Sequence, residues 1–223
     1  MNGFPGPLVL GTGNADKAGE IAHIFTAAFD VMLLTWALEV GDDGGFLMTD
    51  VAEPFRRPQI LMPLEVEETG STLDENARIK ARGWMRSTGL LAVADDTGLS
   101  VDALDGAPGV YSARYAGEDA TYGDNVTKLL GALDGVPPGR RTARFETVAL
   151  AVRPDGSELL ARGSVEGTIA VEARGTSGFG YDPVFVPSEG DGRTFSQMDP
   201  AEKHALSHRG RAFRALATRF RQR

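Results

Sequence analysis

The sequence LVLGTGNADK, residues 8–17, decides how the fold begins. Its apolar triplet, residues 8–10, lies between Pro7 and Gly11, as a short buried strand does. The Thr-Gly-Asn sequence that follows is typical of a turn, and Asn14 suits the N-cap position of a helix. Apolar residues then recur with helical spacing at Ile21, Ile24, Phe25 and Ala28. We therefore predict a strand, a glycine-containing loop and a helix.

The rest of the chain continues to alternate strands and helices. A capping box at Thr72 and Glu75 begins a second helix that ends near Gly89. The apolar run over residues 90–94 predicts a buried strand that stops at Asp95. We predict further strands over residues 143–152, 158–162 and 164–173, a helix around 126–133, and a C-terminal helix with Asp199 as N-cap and a break near Ser207. This order predicts an α/β fold with a mixed central sheet flanked by helices.

Residues 30–62 form a long connection between these elements. Glycine and aspartate dominate residues 41–45, and prolines interrupt the stretch that follows. One strand is expected near residues 31–34. No part of this connection has the composition of a domain linker, so we predict a single domain over residues 1–223.

Amino-acid composition restricts the metal sites and the partners that this chain can have. The chain has 223 residues, no cysteine, three histidines and a net charge of −8. A metal must therefore be held by oxygen or imidazole, and Mg²⁺ is the default expectation. The acidic balance argues against a nucleic-acid partner, although a divalent cation allows an acidic protein to bind a polyanion. Neither a signal peptide nor a membrane span is expected, which favours a cytoplasmic location.

The first candidate site is the loop Thr12-Gly13-Asn14-Ala15-Asp16-Lys17. A loop between a strand and a helix N-terminus presents free N–H groups and the positive end of the helix dipole, and Lys17 adds a charge for phosphate. The loop lacks the length and the Gly-Lys-Ser/Thr ending of a Walker A motif. The plain alternative is an ordinary turn with a cap.

The second candidate site is acidic and consists of Glu67-Glu68 and Asp95-Asp96. Acidic residues at the end of a buried strand lie where open α/β sheets bind ligands. Crowded carboxylates repel each other unless a cation joins them, and one of them can bind Mg²⁺ while another accepts a proton from water. The alternative is a solvated acidic turn.

Two further candidates lie near the C-terminus. In Ser177-Gly178-Phe179-Gly180-Tyr181-Asp182-Pro183, the glycines allow close backbone approach, Phe179 can stack on a base and Asp182 can accept hydrogen bonds. The alternative is that Phe179 and Tyr181 pack into the core. Lys203 and the segment Ser207-His208-Arg209-Gly210 can meet phosphate or a base edge. Their alternative is a solvated helix face.

The order of these motifs is more specific than any one of them. They follow one another as TGNADK from residue 12, EETG from 67, ENA from 75, ADDTGL from 94, GAPGVYSARY from 106, GFGYDP from 178 and SHRG from 207. In this order the chain resembles the inosine/xanthosine triphosphate pyrophosphatase family, also called the Ham1 or non-canonical purine NTP pyrophosphatase family. The resemblance runs from about Leu8 to Phe220.

Three positions depart from the family pattern. The connection over residues 30–62 is longer than usual, Thr97 stands where serine is common, and Asp16 stands where a small residue is common. The resemblance implies a long, mixed, twisted central sheet, two lobes with an active-site cleft between them, and a homodimer.

The resemblance also implies a reaction and a role for each matching residue. A nucleoside triphosphate is hydrolysed to the monophosphate and pyrophosphate with Mg²⁺ as cofactor, and Asp96 accepts the proton and binds the metal. Glu68 and Glu67 complete the metal site. The remaining matching residues bind the substrate. Its phosphates are bound by Thr12, Gly13, Asn14, Ala15, Asp16, Lys17 and Lys203. The rest of the nucleotide is bound by Thr97, Phe179, Gly180, Tyr181, Asp182, His208 and Arg209.

The expected substrates are ITP, dITP, XTP and dXTP. Hypoxanthine and xanthine carry an acceptor at position 6, whereas adenine carries a donor there. A site that donates to position 6 leaves adenine unpaired, at a cost of about 1–3 kcal/mol. Two alternatives stay open: a related pyrophosphatase for other modified nucleotides, and a catalytically silent nucleotide-binding module.

Overall fold

The computed structural model describes residues 8–28, 33–35 and 66–222. The long connection predicted over residues 30–62 lies outside them, except for the strand Leu33–Thr35. Among the described residues, no helix combines the length and apolar character needed to cross a membrane.

Strands and helices alternate along the chain, as predicted. The strands are β1 (Leu8–Leu10), β2 (Leu33–Thr35), β3 (Leu91–Val101), β4 (Pro108–Gly109), β5 (Thr142–Val152), β6 (Glu158–Ile169) and β7 (Phe185–Pro187). The α-helices are α1 (Ala15–Ala28), α2 (Leu73–Thr88), α3 (Tyr122–Ala132), α4 (Pro200–Leu206) and α5 (His208–Arg221). Short 3₁₀ turns cover Asp102–Leu104, Ser112–Arg114, Pro138–Arg140 and Phe195–Gln197.

The described strands form one mixed sheet. Its hydrogen-bonded order is β2-β1-β3-β5-β6-β7, with β4 beside β3. Strand β1 pairs in parallel with both β2 and β3, whereas the β3–β4 and β6–β7 pairs are antiparallel. The predicted α/β class with a mixed sheet is therefore confirmed.

The chain divides into two compact units. The first unit contains Met1–Asp96, Val148–Ala161 and Phe213–Arg223, and the second contains Thr97–Thr147 and Arg162–Ala212. The division falls inside β3, between Asp96 and Thr97. The predicted description as one domain of two lobes with a cleft stays a prediction.

Each unit has its own apolar core. In the first unit, α2 packs Ala77 and Ala81 against Ala94 of β3 and against alternate residues of β5. In the second unit, α3 packs Val126 and Leu129 into a larger cluster that contains Phe145, Phe185 and Phe195. Helices thus cover the sheet in both units because each carries one apolar stripe.

The predicted helix ends are largely confirmed. Asn14 accepts a hydrogen bond from the backbone N–H of Lys17 at 3.0 Å and so caps α1. Asp199 and Glu202 form the reciprocal capping box of α4, and Ser207 separates α4 from α5. At α2 the predicted N-cap, Thr72, is confirmed. Thr72 accepts from the N–H of Glu75, but the Glu75 carboxylate accepts from the N–H and hydroxyl of Ser71.

Two strand predictions were wrong about continuity. Strand β3 does not stop at Asp95 but continues through Asp95 and Asp96 to Val101. The two carboxylates remain in the strand because basic side chains meet them there. The strands predicted over residues 158–162 and 164–173 are the single strand β6, which ends at Ile169. Its alternate residues are buried without interruption, which is the pattern of one strand.

Candidate active site

The first unit holds a cluster of charged and polar side chains at the middle of β3. We call Glu68, Asn76, Lys80, Asp95 and Asp96 the carboxylate cluster. Lys80 and Asn76 lie on the buried face of α2, whereas Asp95 and Asp96 belong to β3 and Glu68 to the segment before α2. The predicted Asp96 and Glu68 are therefore brought together, while the predicted Glu67 is exposed.

Lys80 is the centre of the carboxylate cluster. Its Nζ lies 2.9 Å from Oδ1 of Asp96 and 3.1 Å from Oε2 of Glu68. Burial opposes the charge of Lys80, but attraction by Asp96, Glu68 and Asp95 outweighs it, so the pKa of Lys80 is raised. Lys80 therefore stays an ammonium that neutralises carboxylates inside the unit.

Asp96 is only 5% exposed, and its environment makes it a stronger base. Burial raises the pKa of Asp96, the ammonium groups of Lys80 and Lys17 act to lower it, and Glu68 acts to raise it again. The net shift is upward. A buried carboxylate with a raised pKa holds a proton more readily than an exposed one does, which suits a general base.

The predicted phosphate loop lies in the same unit. Thr12 is buried and its hydroxyl accepts from the N–H of Asn14 at 3.1 Å. Gly13, Ala15 and Asp16 are exposed on the loop and on the first turn of α1. Nζ of Lys17 lies 3.9 Å from Oδ2 of Asp95, so this loop places a cation beside the carboxylate cluster.

The second unit brings together five predicted residues, which we call the aromatic cluster: Thr97, Phe179, Asp182, Lys203 and Arg209. Nζ of Lys203 lies 2.5 Å from Oδ2 of the buried Asp182 and 4.8 Å from the centre of the Phe179 ring. Arg209 lies 5.4 Å from the same ring centre, and its Nη2 donates to the Thr97 hydroxyl at 3.2 Å. Phe179 is thus an aromatic surface with two cations beside it.

Asp182 shapes the loop that carries Phe179. Its Oδ2 accepts from the backbone N–H of Phe179 at 2.9 Å in addition to the Lys203 bond. Gly178 has a φ of +73°, and a Cβ there would collide with the Asp182 carboxylate. The loop therefore needs glycine at this position because of Asp182, while the predicted approach of its backbone to a ligand stays a prediction.

His208 and Arg209 are not on a solvated helix face, the alternative that we considered for them. Both are only 3% exposed. The His208 ring stacks on Phe145 at 4.4 Å between centres. Tyr181 is also buried, and its hydroxyl donates to the backbone oxygen of Ser112 at 2.9 Å. Tyr181 therefore packs into the core of the second unit, whereas Gly180 is part of the half-buried Phe179 loop.

Sequence reasoning assigned no role to several residues in these clusters. Lys80 and Asn76 interrupt the apolar face of α2, and polar residues in an apolar stripe are the signal that could have revealed them. Thr147 is fully buried in β5, and its hydroxyl lies 2.7 Å from that of Thr97. Tyr122 lies 5.8 Å from Phe179 between ring centres. No local pattern in the sequence marks Thr147 or Tyr122.

The donor set of the carboxylate cluster fits a hard cation. Glu68 and Asp96 already converge on one positive group, the Lys80 ammonium, and they offer only oxygen atoms. Among the residues that the structure describes, no three or more acidic or imidazole side chains are grouped so as to hold a metal by themselves. A cation at this pair would complete its coordination with water and substrate oxygens, as Mg²⁺ commonly does.

Comparison with known proteins gives a consistent result. The model of the Ham1 family matches residues 8–219. A dITP/XTP pyrophosphatase of Methylococcus capsulatus is 53% identical over 218 residues, which cover 96% of each chain, and one of Vibrio parahaemolyticus is 44% identical over 94% of each. The structure of a HAM1 protein from Coxiella burnetii has a TM-score of 0.78 and 37% identity, covering 98% of this chain and all of that one. This chain therefore belongs to the Ham1 family.

Proposed function

We propose that this chain is a dITP/XTP pyrophosphatase, which hydrolyses non-canonical purine nucleoside triphosphates to the monophosphate and pyrophosphate. The observation that carries the proposal is the Asp96 carboxylate, buried in the first unit between Lys80 and Asn76. The relatives that share nearly the full length of the chain are named for this activity. The enzyme thereby removes damaged nucleotides from the pool.

Asp96 is the proposed proton acceptor. Water attacks the α-phosphorus, the bond from that phosphorus to the bridging oxygen breaks, and pyrophosphate leaves. The proton of the attacking water passes to a carboxylate oxygen of Asp96. The burial of Asp96 and its hydrogen bond from Lys80 support this role because they hold the carboxylate in place.

Glu68 and Asp96 are the proposed holders of Mg²⁺, with Glu67 beside Glu68 in the chain. When bound, Mg²⁺ supplies neutralisation of the negative charge on the phosphates. Lys80 lies between Glu68 and Asp96 and offsets part of their negative charge. Lys17 and the N-terminal end of α1 are the proposed phosphate contacts in the first unit.

The aromatic cluster is the proposed site of base recognition in the second unit. Phe179 offers a ring for stacking, and Arg209 offers donors that suit a 6-oxo group. Adenine presents a donor at that position and would leave an unpaired donor in the site, at a cost of about 1–3 kcal/mol. Thr97 and Asp182 belong to this surface, and Gly180 and His208 are further proposed contacts of the nucleotide in the same unit. Lys203, next to Phe179, suits a phosphate contact.

Two further features of the proposal follow from the family resemblance. The chain is expected to form a homodimer, which light scattering of the purified protein tests. It is expected to act in the cytoplasm, where the nucleotide pool lies.

A pyrophosphate-release assay over a panel of nucleotides tests the proposed function. Release from dITP and XTP should be much faster than from dATP and dGTP. Release from a pyrimidine or another modified nucleotide instead would favour the related house-cleaning enzyme. Binding without release from any nucleotide would favour the silent module. The carboxylate cluster argues against silence because a module that only binds has no need of it.

A further inference from the structure

Asn76 is a polar side chain with no exposed surface, and it contacts both Asp96 of the carboxylate cluster and the segment before α2. Its Oδ1 accepts from the backbone N–H of Gly70 at 2.8 Å, and its Nδ2 donates to Oδ2 of Asp96 at 3.3 Å. The Gly70 N–H can only donate and an ionised carboxylate can only accept. The two partners therefore fix which way the Asn76 amide points.

Asn76 and Lys80 divide the Asp96 carboxylate between them. They are four residues apart on α2 and so lie on the same face of the helix. Asn76 bonds Oδ2 of Asp96, whereas Lys80 bonds Oδ1. Because both oxygens are held, rotation of the carboxylate about its last side-chain bond is restrained. Each oxygen keeps a second lone pair for another partner.

The same two residues also hold the segment before α2. Lys80 pairs with Glu68 at 3.1 Å, and Asn76 accepts from Gly70. The segment approaches Asn76 so closely that a Cβ on Gly70 would lie 2.5 Å from Oδ1 of Asn76. This contact requires glycine at position 70. Asn76 therefore joins the backbone beside Glu68 to the carboxylate of Asp96.

We propose that Asn76 is a positioning residue for the reaction, which keeps the Asp96 carboxylate in the orientation that accepts the proton. The inference rests on the proposed function, since it takes Asp96 as the general base. A general base acts only within hydrogen-bond reach of the proton that it removes. Loss of the Asn76 bond would let the carboxylate turn away from that proton while the substrate contacts stay intact.

Two variants separate the hydrogen bonds of Asn76. Asn76→Ala removes both. Asn76→Asp keeps an acceptor for Gly70 but cannot donate to the ionised Asp96, and it places a second carboxylate against it. In both variants we expect kcat for dITP to fall about 10–100-fold, as for other residues that orient a reacting group, with KM little changed. Loss of a residue that contributes only to stability would not lower kcat of the folded enzyme while KM stays nearly constant.

Asn125 provides the matched control. It is also buried and makes two hydrogen bonds through its amide, from the N–H of Ala116 at 2.7 Å and to the oxygen of Ala113 at 3.0 Å. These partners are backbone groups of the second unit. Asn125→Ala and Asn125→Asp should lower Tm as the Asn76 variants do, but should leave kcat close to the wild-type value.

The outcomes decide the proposal in either direction. The proposal would be overturned if the folded Asn76 variants kept a kcat within about threefold of the wild type, as the Asn125 variants are expected to do. If Asn76→Ala does not fold, the kcat of Asn76→Asp decides by the same criterion.

Crystal structures provide a second test: compared with the wild type, Asn76→Asp should show the Asp96 carboxylate turned. An unchanged carboxylate would also overturn the proposal. A wild type that releases no pyrophosphate would refute the proposed function and, with it, the kinetic role of Asn76, whereas the crystal structures would still show whether Asn76 orients the Asp96 carboxylate.

Discussion

Lys80 donates a hydrogen bond to Asp96 across 2.9 Å inside the first unit. This ion pair explains how a strand can carry adjacent carboxylates through its buried centre. The ammonium balances the negative charge at the point where burial disfavours it. The pair therefore supports the fold and also sets the electrostatic environment of the proposed general base.

Lys80→Met should destabilise the protein strongly. Methionine nearly matches the lysine stem in size but leaves the buried Asp96 and the partly exposed Glu68 without their shared cation. Breaking a buried pair from one side costs about 3–5 kcal/mol. The control is Arg82→Met on the same helix, because Arg82 is nearly half exposed and pairs with Glu158 at the surface. That change should cost about 1 kcal/mol or less. Urea unfolding at neutral pH measures both, and equal losses would contradict the assigned role of Lys80.

Thr147→Val should weaken base discrimination. The change keeps the buried volume but removes the hydroxyl 2.7 Å from Thr97, which in turn contacts Arg209. One hydrogen bond of this kind is worth about 0.5–1.5 kcal/mol. We expect the ratio of kcat/KM for dITP over dATP to fall about two- to tenfold.

Two controls accompany this measurement. Thr147→Ser keeps the hydroxyl and should keep most of the ratio. Thr142→Val removes an exposed hydroxyl from the same strand and should leave the ratio unchanged. A normal ratio in folded Thr147→Val would mean that Thr97 and Arg209 do not depend on Thr147 for base selection.

Phe179→Ala should raise KM for every purine substrate and leave kcat nearly unchanged. Stacking of a base on an aromatic ring is worth about 1–3 kcal/mol, so KM should rise about 5–100-fold. The bond between Lys203 and Asp182 does not need the ring, so the loop should stay ordered. Phe179→Tyr keeps the ring as a control. Steady-state kinetics with dITP and XTP provide the measurement, and an unchanged KM would remove Phe179 from base binding.

Removal of metal should abolish activity without unfolding the protein. EDTA should stop pyrophosphate release, and added Mg²⁺ should restore it, because the phosphates need a cation beside Glu68 and Asp96. Lys80 already pairs with both carboxylates, so Tm should change little in the chelator. Full activity in EDTA would exclude a role for metal in the reaction.

Local signals in the sequence predicted a large part of the fold. The cap at Asn14, the box at Asp199 and the break at Ser207 depend on residues within four positions of one another, and the structure confirms them. Local signals did not predict how far β3 extends. Its apolar run ends at Ala94, yet the strand continues because Lys80, on another element, stabilises Asp96. Composition along one segment cannot reveal a partner that lies in another.

The candidate site shows the same limit. The ordered motifs contain most of the residues that form the carboxylate and aromatic clusters, with Lys80 and Lys203 outside them, but the roles assigned to those residues stay predictions until activity is measured. The burial of Arg209 depends on contacts with Thr97 and Phe179, which are distant in sequence. Asn76 and Thr147 were missed for a related reason. Each bonds a side chain that is distant in sequence, and only Asn76, a polar residue on the buried face of α2, leaves a local signal.

The rate of pyrophosphate release from dITP by Asp96→Asn tests the central claim most directly. Asparagine keeps the shape of the side chain and can still accept from Lys80, so the variant should remain folded, as circular dichroism would show. It lacks the basicity to take a proton, and loss of a general base lowers a rate by roughly 10²–10⁴-fold. We predict a fall in kcat of at least about 100-fold. A folded variant within about tenfold of the wild-type rate would contradict the account.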